Sequence, residues 1–192
     1  MPADLLVVGL GNPGEEYAKT RHNVGAEVVE LLARRHGVRL KKHRRDRALV
    51  GDARVEGKVL ALAIPLTWMN DSGMAVAPLA RQFDVGPEQI VIVHDELDLP
   101  PAALRVKVGG GLAGHNGLRS IKQHLHSDDF LRVRIGVGKP PSKERGADHV
   151  LSRVSKRARE EMAVTIEEAA DAVETILRSG VDAAMNQYNT RP

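Results

Sequence analysis

The chain contains no cysteine. That excludes disulfides, thiolate nucleophiles and Cys-ligated zinc, and it suits a reducing interior. Aromatic residues make up only 3% of the 192 positions, too few for rows of base-stacking platforms. Long apolar runs are missing as well. The N-terminal one spans only Leu5 to Leu10 and follows Asp4 instead of a basic segment, so neither a signal peptide nor a membrane span fits, and a cytoplasmic protein is expected. The length suffices for one good core and is short for two, so a single domain over 1–192 is expected.

Charge is present but uneven. The formal net charge is +3, yet Pro101 to Gly146 holds nine Lys/Arg against three Asp/Glu, while Leu151 to Pro192 holds six against seven. The middle of the chain is therefore the expected face for a polyanion.

The run Leu5 to Leu10 enters the stretch Gly9-Leu10-Gly11-Asn12-Pro13-Gly14, after which Val24, Val28, Val29, Leu31 and Leu32 recur at helical spacing as far as Gly37. Asn12, Tyr17 and His22 thus sit where a strand hands over to a helix, the junction at which open α/β sheets place their chemistry. Arg39 to Arg47 is densely basic and reads as a solvated edge strand or turn blunted by charge, in preference to a nucleic-acid groove. Ala48 to Val55 and Val59 to Ile64 read as strands joined at Glu56-Gly57. Ser72 is expected to cap a helix reaching Phe83, bent or shortened by Pro78. Ile90 to Val93 is the β-branched run of a strand buried on both faces, ending at His94-Asp95-Glu96-Leu97-Asp98. Leu104 to Val108 follows as a short strand with Arg105 and Lys107 on one face. The glycine-rich stretch Gly109 to Gly117 precedes a helix from Leu118 to His124 and a strand from Phe130 to Val137. Lys139 to Ala147 is a polar loop long enough to act as a lid. An apolar stripe from Met162 to Leu177 marks a long packing helix stopped by Gly180.

Four polar clusters lie past predicted strand ends: Asn12, Met69-Asn70, His94-Asp95, and the glycine loop with His115-Asn116. Mostly parallel strands would gather them on one sheet edge. That inventory holds no Gly-x-Ser-x-Gly elbow and no Ser-x-x-Lys pair, so water must attack, with a histidine as base and a carboxylate to orient it. Asparagine amides both donate and accept. Three of them suit a carbonyl whose oxygen becomes negative, and a neighbouring amide N–H that needs an acceptor, which points to ester or amide hydrolysis.

These residues carry a family resemblance. The chain resembles the bacterial peptidyl-tRNA hydrolases through Gly-Leu-Gly-Asn-Pro-Gly with Tyr17 and Thr20-Arg21-His22-Asn23, Met69-Asn70-x-Ser72-Gly73, His94 to Pro100, Gly109-Gly110-Gly111 with Gly114-His115-Asn116-Gly117, and Arg134-Ile135-Gly136. The motifs occur in the family's order and cover nearly the whole chain. The resemblance implies an α/β fold, a single three-layer globule with a mixed, mostly parallel central sheet flanked by helices, acting as a monomer on peptidyl-tRNA without cofactor or metal. It implies cleavage of the ester between peptide and terminal ribose, with His22 as base and Asp95 holding its basic form. It further implies that Asn12 separates N-blocked from free aminoacyl substrates, and that Tyr17, Trp68, Asn70 and Asn116 contact the substrate, with Met69 and His115 from the same motifs beside them. Asn70 or Asn116 would serve the oxyanion. Arg105 and Lys107, with Arg134 added by the resemblance, are the expected tRNA phosphate contacts. Leu112, Ala113 and Trp68 depart from the family's usual glycines and Phe or Tyr.

Three rivals compete. Gly9-x-Gly11-x-x-Gly14 matches a dinucleotide fingerprint, but Pro13 removes a donor from the loop that should cradle pyrophosphate, and a basic stretch stands where a ribose-binding acid is wanted. A metal hydrolase using His22, His94, Asp95, Glu96 and His115 lacks a His-Glu-x-x-His pair. A tRNA-binding module without catalysis would leave His22 and Asp95 without a task.

Overall fold

A computed structural model of the protein describes residues 2–190, apart from the side chain of Lys143. The strands are β1 (Leu5–Gly9), β2 (Lys41–His43), β3 (Ala48–Val55), β4 (Lys58–Pro65), β5 (Ile90–Glu96), β6 (Leu104–Val108) and β7 (Leu131–Gly136). They form one sheet in the order β2-β3-β4-β1-β5-β7-β6. The four central strands β4, β1, β5 and β7 are parallel, while β3 and β2 on one side and β6 on the other are antiparallel to their neighbours.

Every residue of β1 is buried, and its alternation serves two cores. Leu5 and Val7 face the layer of α1 (Val24–Arg35), α5 (Lys156–Ser179) and α6 (Val181–Tyr188). Leu6 and Val8 face the layer of α2 (Ser72–Gln82) and α3 (Asn116–Leu125). This is the expected three-layer α/β arrangement, and a strand buried on both faces explains why the run reads as continuously apolar.

α1 lies unusually close to the sheet. A Cβ on Gly25 would come within 2.0 Å of the Val93 carbonyl oxygen, and one on Gly9 within 2.2 Å of the Gly25 carbonyl oxygen. Both positions need glycine for this approach. The short 3-10 turn Arg21–Asn23 that precedes α1 is thereby set against β5, where His22 meets Asp95 at the strand's carboxyl end.

Several expectations need correction. Ser72 does not cap α2: it is the helix's first residue, and its hydroxyl donates to the Met69 carbonyl at 2.7 Å, tying the helix to the 3-10 turn Met69–Asp71. Of the bend or shortening expected at Pro78, the shortening does not occur, and α2 runs through it to Gln82. The carbonyl four residues back belongs to Met74, itself 38% exposed, so water can replace the lost bond. β6 does not run with the parallel set, and its carboxyl end points to the opposite edge. The polar stretch after β7 is partly helical, as the 3-10 turn Lys143–Arg145 and α4 (Gly146–Leu151). α6 has no counterpart in the sequence reading.

β5 extends past its apolar run through His94, Asp95 and Glu96, all buried. His94 donates from Nδ1 to the Asp95 carbonyl at 2.7 Å. Burial above all pushes this imidazole down from 6.5 to about 3, with the His115 ring and the Arg132 guanidinium beside it acting in the same direction, against the opposing pull of the Asp95 carbonyl and carboxylate. His94 is therefore neutral in the folded protein across the physiological range. As pH falls below about 6.5 the unfolded chain takes up this proton before the folded one does, so stability falls with pH between about 6.5 and 3. We expect denaturant unfolding between pH 7 and 4 to show this slope, at most about 1.4 kcal/mol per pH unit from one group, and His94→Gln to flatten it. An unchanged slope in the variant would remove His94 as its source.

Candidate active site

The carboxyl ends of β1, β4 and β5 open into a cleft of about 490 Å3. Asn12 enters it from the end of β1, Met69 and Asn70 from the turn after β4, and Asp95 from β5. His22 and Tyr17 come from the junction before α1, and His115 and Asn116 from the start of α3. Trp68 stands at the mouth, 55% exposed, its ring edge-to-face with Tyr17 at 5.9 Å between centroids. The structure thus brings nine of the twelve expected site residues to one place.

Asp95 lies at the centre and is 2% exposed. His22 Nδ1 is 3.0 and 2.9 Å from its two carboxylate oxygens. His115 Nε2 is 2.8 Å from Oδ1. The two rings differ in what surrounds their other nitrogen. His115 Nδ1 accepts from the backbone N–H groups of Gly117 and Leu118 at 3.1 and 3.3 Å, capping α3. Amides only donate, so the ring proton of neutral His115 sits on Nε2 and is given to Asp95. His22 gives its Nδ1 proton to the same carboxylate, and its Nε2 has no partner among the described residues. One carboxylate therefore fixes two imidazoles in opposite tautomers. Burial alone would raise the Asp95 carboxyl, but the electrostatic pull and hydrogen bonds of the His22 and His115 rings outweigh it and hold it far below the usual carboxylate range. It stays ionised whenever the protein is folded near neutral pH.

The same geometry speaks to the metal rival. Donor-type atoms of His22, Asp95 and His115 lie within 4.8 Å of one another. However, His115 Nδ1 is occupied by two amides and its Nε2 carries the proton, so neither nitrogen has a lone pair to offer.

Asn12 is held rigidly. Its backbone N–H donates to Asn23 Oδ1 at 2.8 Å, and Asn23 Nδ2 donates back to the Asn12 carbonyl at 2.9 Å. Its side-chain oxygen accepts from the Met69 N–H at 2.7 Å. What remains for a ligand is the Asn12 amide NH2, a donor. The side-chain oxygen is already engaged once by the Met69 N–H, so among the described residues the NH2 is the polar group of Asn12 left wholly free.

Arg105, Lys107 and Arg134 do not enter this cleft. Lys107 and Arg134 line an adjoining cavity of about 250 Å3 with His94 and Arg132. Arg134 is also paired through Nε with buried Glu96 at 3.2 Å. Arg105 reaches neither and donates to the Leu104 carbonyl at 2.8 Å.

Several working residues were not anticipated. Asn23 was seen only as part of a motif, yet it holds Asn12. Arg132, buried on β7, donates to the carbonyls of Gly110, Gly111 and Asp128 at 3.0, 2.5 and 3.0 Å. It pins the glycine loop, whose Ala113 takes φ 51°, a backbone angle glycine adopts more easily. Gly146, Ala147, Val150 and Leu151 of α4 wall the cleft where a lid loop was expected. Arg21 secures that helix through the His149 carbonyl and Ser152 hydroxyl at 3.1 and 3.0 Å. Asn23 and Arg132 gave no signal of periodicity or spacing.

The family model described as peptidyl-tRNA hydrolase matches residues 6–192. A peptidyl-tRNA hydrolase of Nocardia farcinica is 52% identical over 184 residues, covering 96% of this chain and 95% of the relative. One of Rhodococcus opacus is 50% identical over 184 residues, covering 96% and 97%. The crystal structure of peptidyl-tRNA hydrolase from Acinetobacter baumannii superposes with a TM-score of 0.93 at 43% identity, covering 99% of this chain and 97% of that one. Cleft, fold and sequence agree along nearly the whole length, and the chain belongs to the peptidyl-tRNA hydrolase family.

Proposed function

We propose that His22 is the general base and Asp95 its anchor in the hydrolysis of peptidyl-tRNA, the reaction of the family to which the chain belongs. The observation that carries the assignment is the Nδ1 contact of His22 to both Asp95 oxygens at 3.0 and 2.9 Å, which leaves Nε2 as the proton acceptor. Nε2 takes a proton from water as the oxygen attacks the ester carbonyl. The imidazolium formed is stabilised by the buried carboxylate. The carbonyl oxygen becomes negative, and the side-chain amide of Asn70 or Asn116, both at the cleft wall, donates to it. Collapse breaks the bond to the ribose oxygen, which recovers the proton from His22. The products are a peptide carboxylate and tRNA with a free hydroxyl.

Asn12 supports discrimination by its donor. With Oδ1 held by Met69, its NH2 fits the carbonyl of an N-blocked residue and meets only hydrogens on a free ammonium. Tyr17, Trp68 and Met69 offer apolar walls to the adenosine and the peptide. Lys107 and Arg134, beside the cleft, suit a phosphate of the RNA, and Arg105 can add to that field. The site is complete within one chain, which supports action as a single-domain monomer. A substrate released during translation supports a cytoplasmic location, and among the described residues no helix is long and apolar enough to cross a membrane.

His22→Ala is expected to lower turnover of N-acetyl-aminoacyl-tRNA by about two to four orders of magnitude while leaving its binding nearly unchanged. A variant near the parent rate would contradict the base assignment. Asn12→Asp keeps an oxygen for the Met69 N–H but replaces the donor by a negative charge. The ratio of rates on N-acetylated over free aminoacyl-tRNA should fall by about tenfold or more, since the N-blocked substrate loses a neutral hydrogen bond worth roughly 0.5–1.5 kcal/mol while the new carboxylate favours the free ammonium by roughly 1.5–3 kcal/mol. An unaltered ratio would show that Asn12 does not read the amino end.

A further inference from the structure

The basic segment Arg39 to Arg47 takes no part in the chemistry above. As its charge suggests, it builds the exposed edge strand β2 and the turn after it. Charges that only protect an edge have no reason to gather, yet three of these do. Lys42, Arg44 and Arg47 line an open groove of about 680 Å3 whose other wall includes Pro13, Thr67 and Trp68, with Asp71 as its single acid. None of the three cations has a salt bridge or a side-chain hydrogen bond among the described residues. Arg35 and Arg178 are paired with carboxylates, while Arg81 and Arg119 stand alone on the surface among the described residues, so what marks this place is the convergence of three unpaired cations on one groove. Thr67 adds an independent sign. It is 8% exposed and lines the groove, and its buried hydroxyl has no partner among the described residues.

The groove is continuous with the active site. Trp68 borders both it and the catalytic cleft, and Pro13 follows Asn12 directly. Whatever crosses Trp68 from the groove arrives beside Asn12 and Asn70. A reacting ester has two arms. The peptide arm has a neutral backbone that gains nothing from three unpaired cations, while the RNA arm brings one phosphate per nucleotide.

We propose that this groove binds phosphates of the single-stranded RNA 3′ end that carries the ester into the cleft, with Lys42, Arg44 and Arg47 as their partners and the Thr67 hydroxyl as a further donor. The proposal rests on the hydrolase reading and names a subsite for its substrate. Contacts of this kind position the strand without reading its sequence, so acceptor ends of different tRNAs should use them alike. Three neutralised phosphates on a single strand contribute about −2 to the dependence of log affinity on log salt, at about −0.7 each.

The test compares the parent with a Lys42→Gln/Arg44→Gln/Arg47→Gln variant, which keeps side-chain length near the groove. Binding of uncharged tRNA is titrated across a salt series in a His22→Ala background, so that the readout is independent of hydrolysis. kcat and KM are then measured on N-acetyl-aminoacyl-tRNA and on the same acyl group esterified to adenosine, which has no phosphate. The expected result is binding weakened about tenfold or more at low salt, a salt slope shallower by about 2, a raised KM on tRNA with kcat kept, and rates on the adenosine ester within about twofold. An unchanged slope and KM would return the segment to edge protection. Equal losses on both esters would mean damage to the cleft, and a loss that grows with peptide length at constant RNA would assign the groove to the peptide; either overturns the proposal. Thr67→Val separates the hydroxyl from the cations, with a several-fold rise in KM on tRNA expected and no change in salt slope. Failure of the parent itself to release the acyl group from tRNA would instead strike the hydrolase reading, because the binding titration stands without it.

Discussion

A single buried carboxylate organises the active site. Asp95 accepts hydrogen bonds from His22 on one side and His115 on the other, and it has almost no solvent to share its charge with. An unpaired carboxylate at that depth would become neutral or open the fold. Its two partners are fixed by different parts of the chain, His22 by the turn before α1 and His115 by the amides of α3. The opposite tautomers follow from that asymmetry. His115 donates to the acid from Nε2 while its Nδ1 is held by amides, and His22, bound among the described residues only through Nδ1, leaves its Nε2 facing the cleft.

Backbone approach makes this arrangement possible. Without side chains at Gly9 and Gly25, α1 rests against the strands, and the His22 turn stays within hydrogen-bond reach of β5. On the other flank β6 delivers the chain to the wrong edge of the sheet, and the glycine loop must travel back to bring His115 to Asp95. Arg132 is the anchor of that return, its guanidinium holding two loop carbonyls. A cation deep in a strand thus helps to place His115 against Asp95, through backbone alone.

Much of this was legible in the residues. The alternation and turn signals placed β3, β4 and the hairpin between them, and the β-branched run placed β5 as a core strand, because local periodicity records burial directly. Asn12, Asn70 and Asp95 stood out because they follow predicted strand ends, whereas His22 and Asn116, at the starts of helical segments, stood out through the motifs that carry the family resemblance. The direction of β6 was recoverable too. Only residues 97–103 separate it from β5, and a parallel crossover needs a dozen or more. Other features could not be read. The clamp of Asn23 on Asn12 joins residues whose pairing no spacing rule encodes. The proton position on His115 depends on amides that take their place only once α3 has formed. Pro78 looked like a breaker because sequence does not reveal that Met74 faces solvent. The polar composition of the stretch after β7 suggested a loop, whereas Arg21 holds α4 in place from far away in the chain.

The paired tautomers around Asp95 are the central claim, and nitrogen-15 spectra of histidine-labelled protein at neutral pH read them directly. His22 should carry its proton on Nδ1 with Nε2 bare, and His115 the reverse, with the preference at His22 lost in Asp95→Asn. A His22 ring protonated on Nε2 in the parent, or one indifferent to Asp95, would contradict the account.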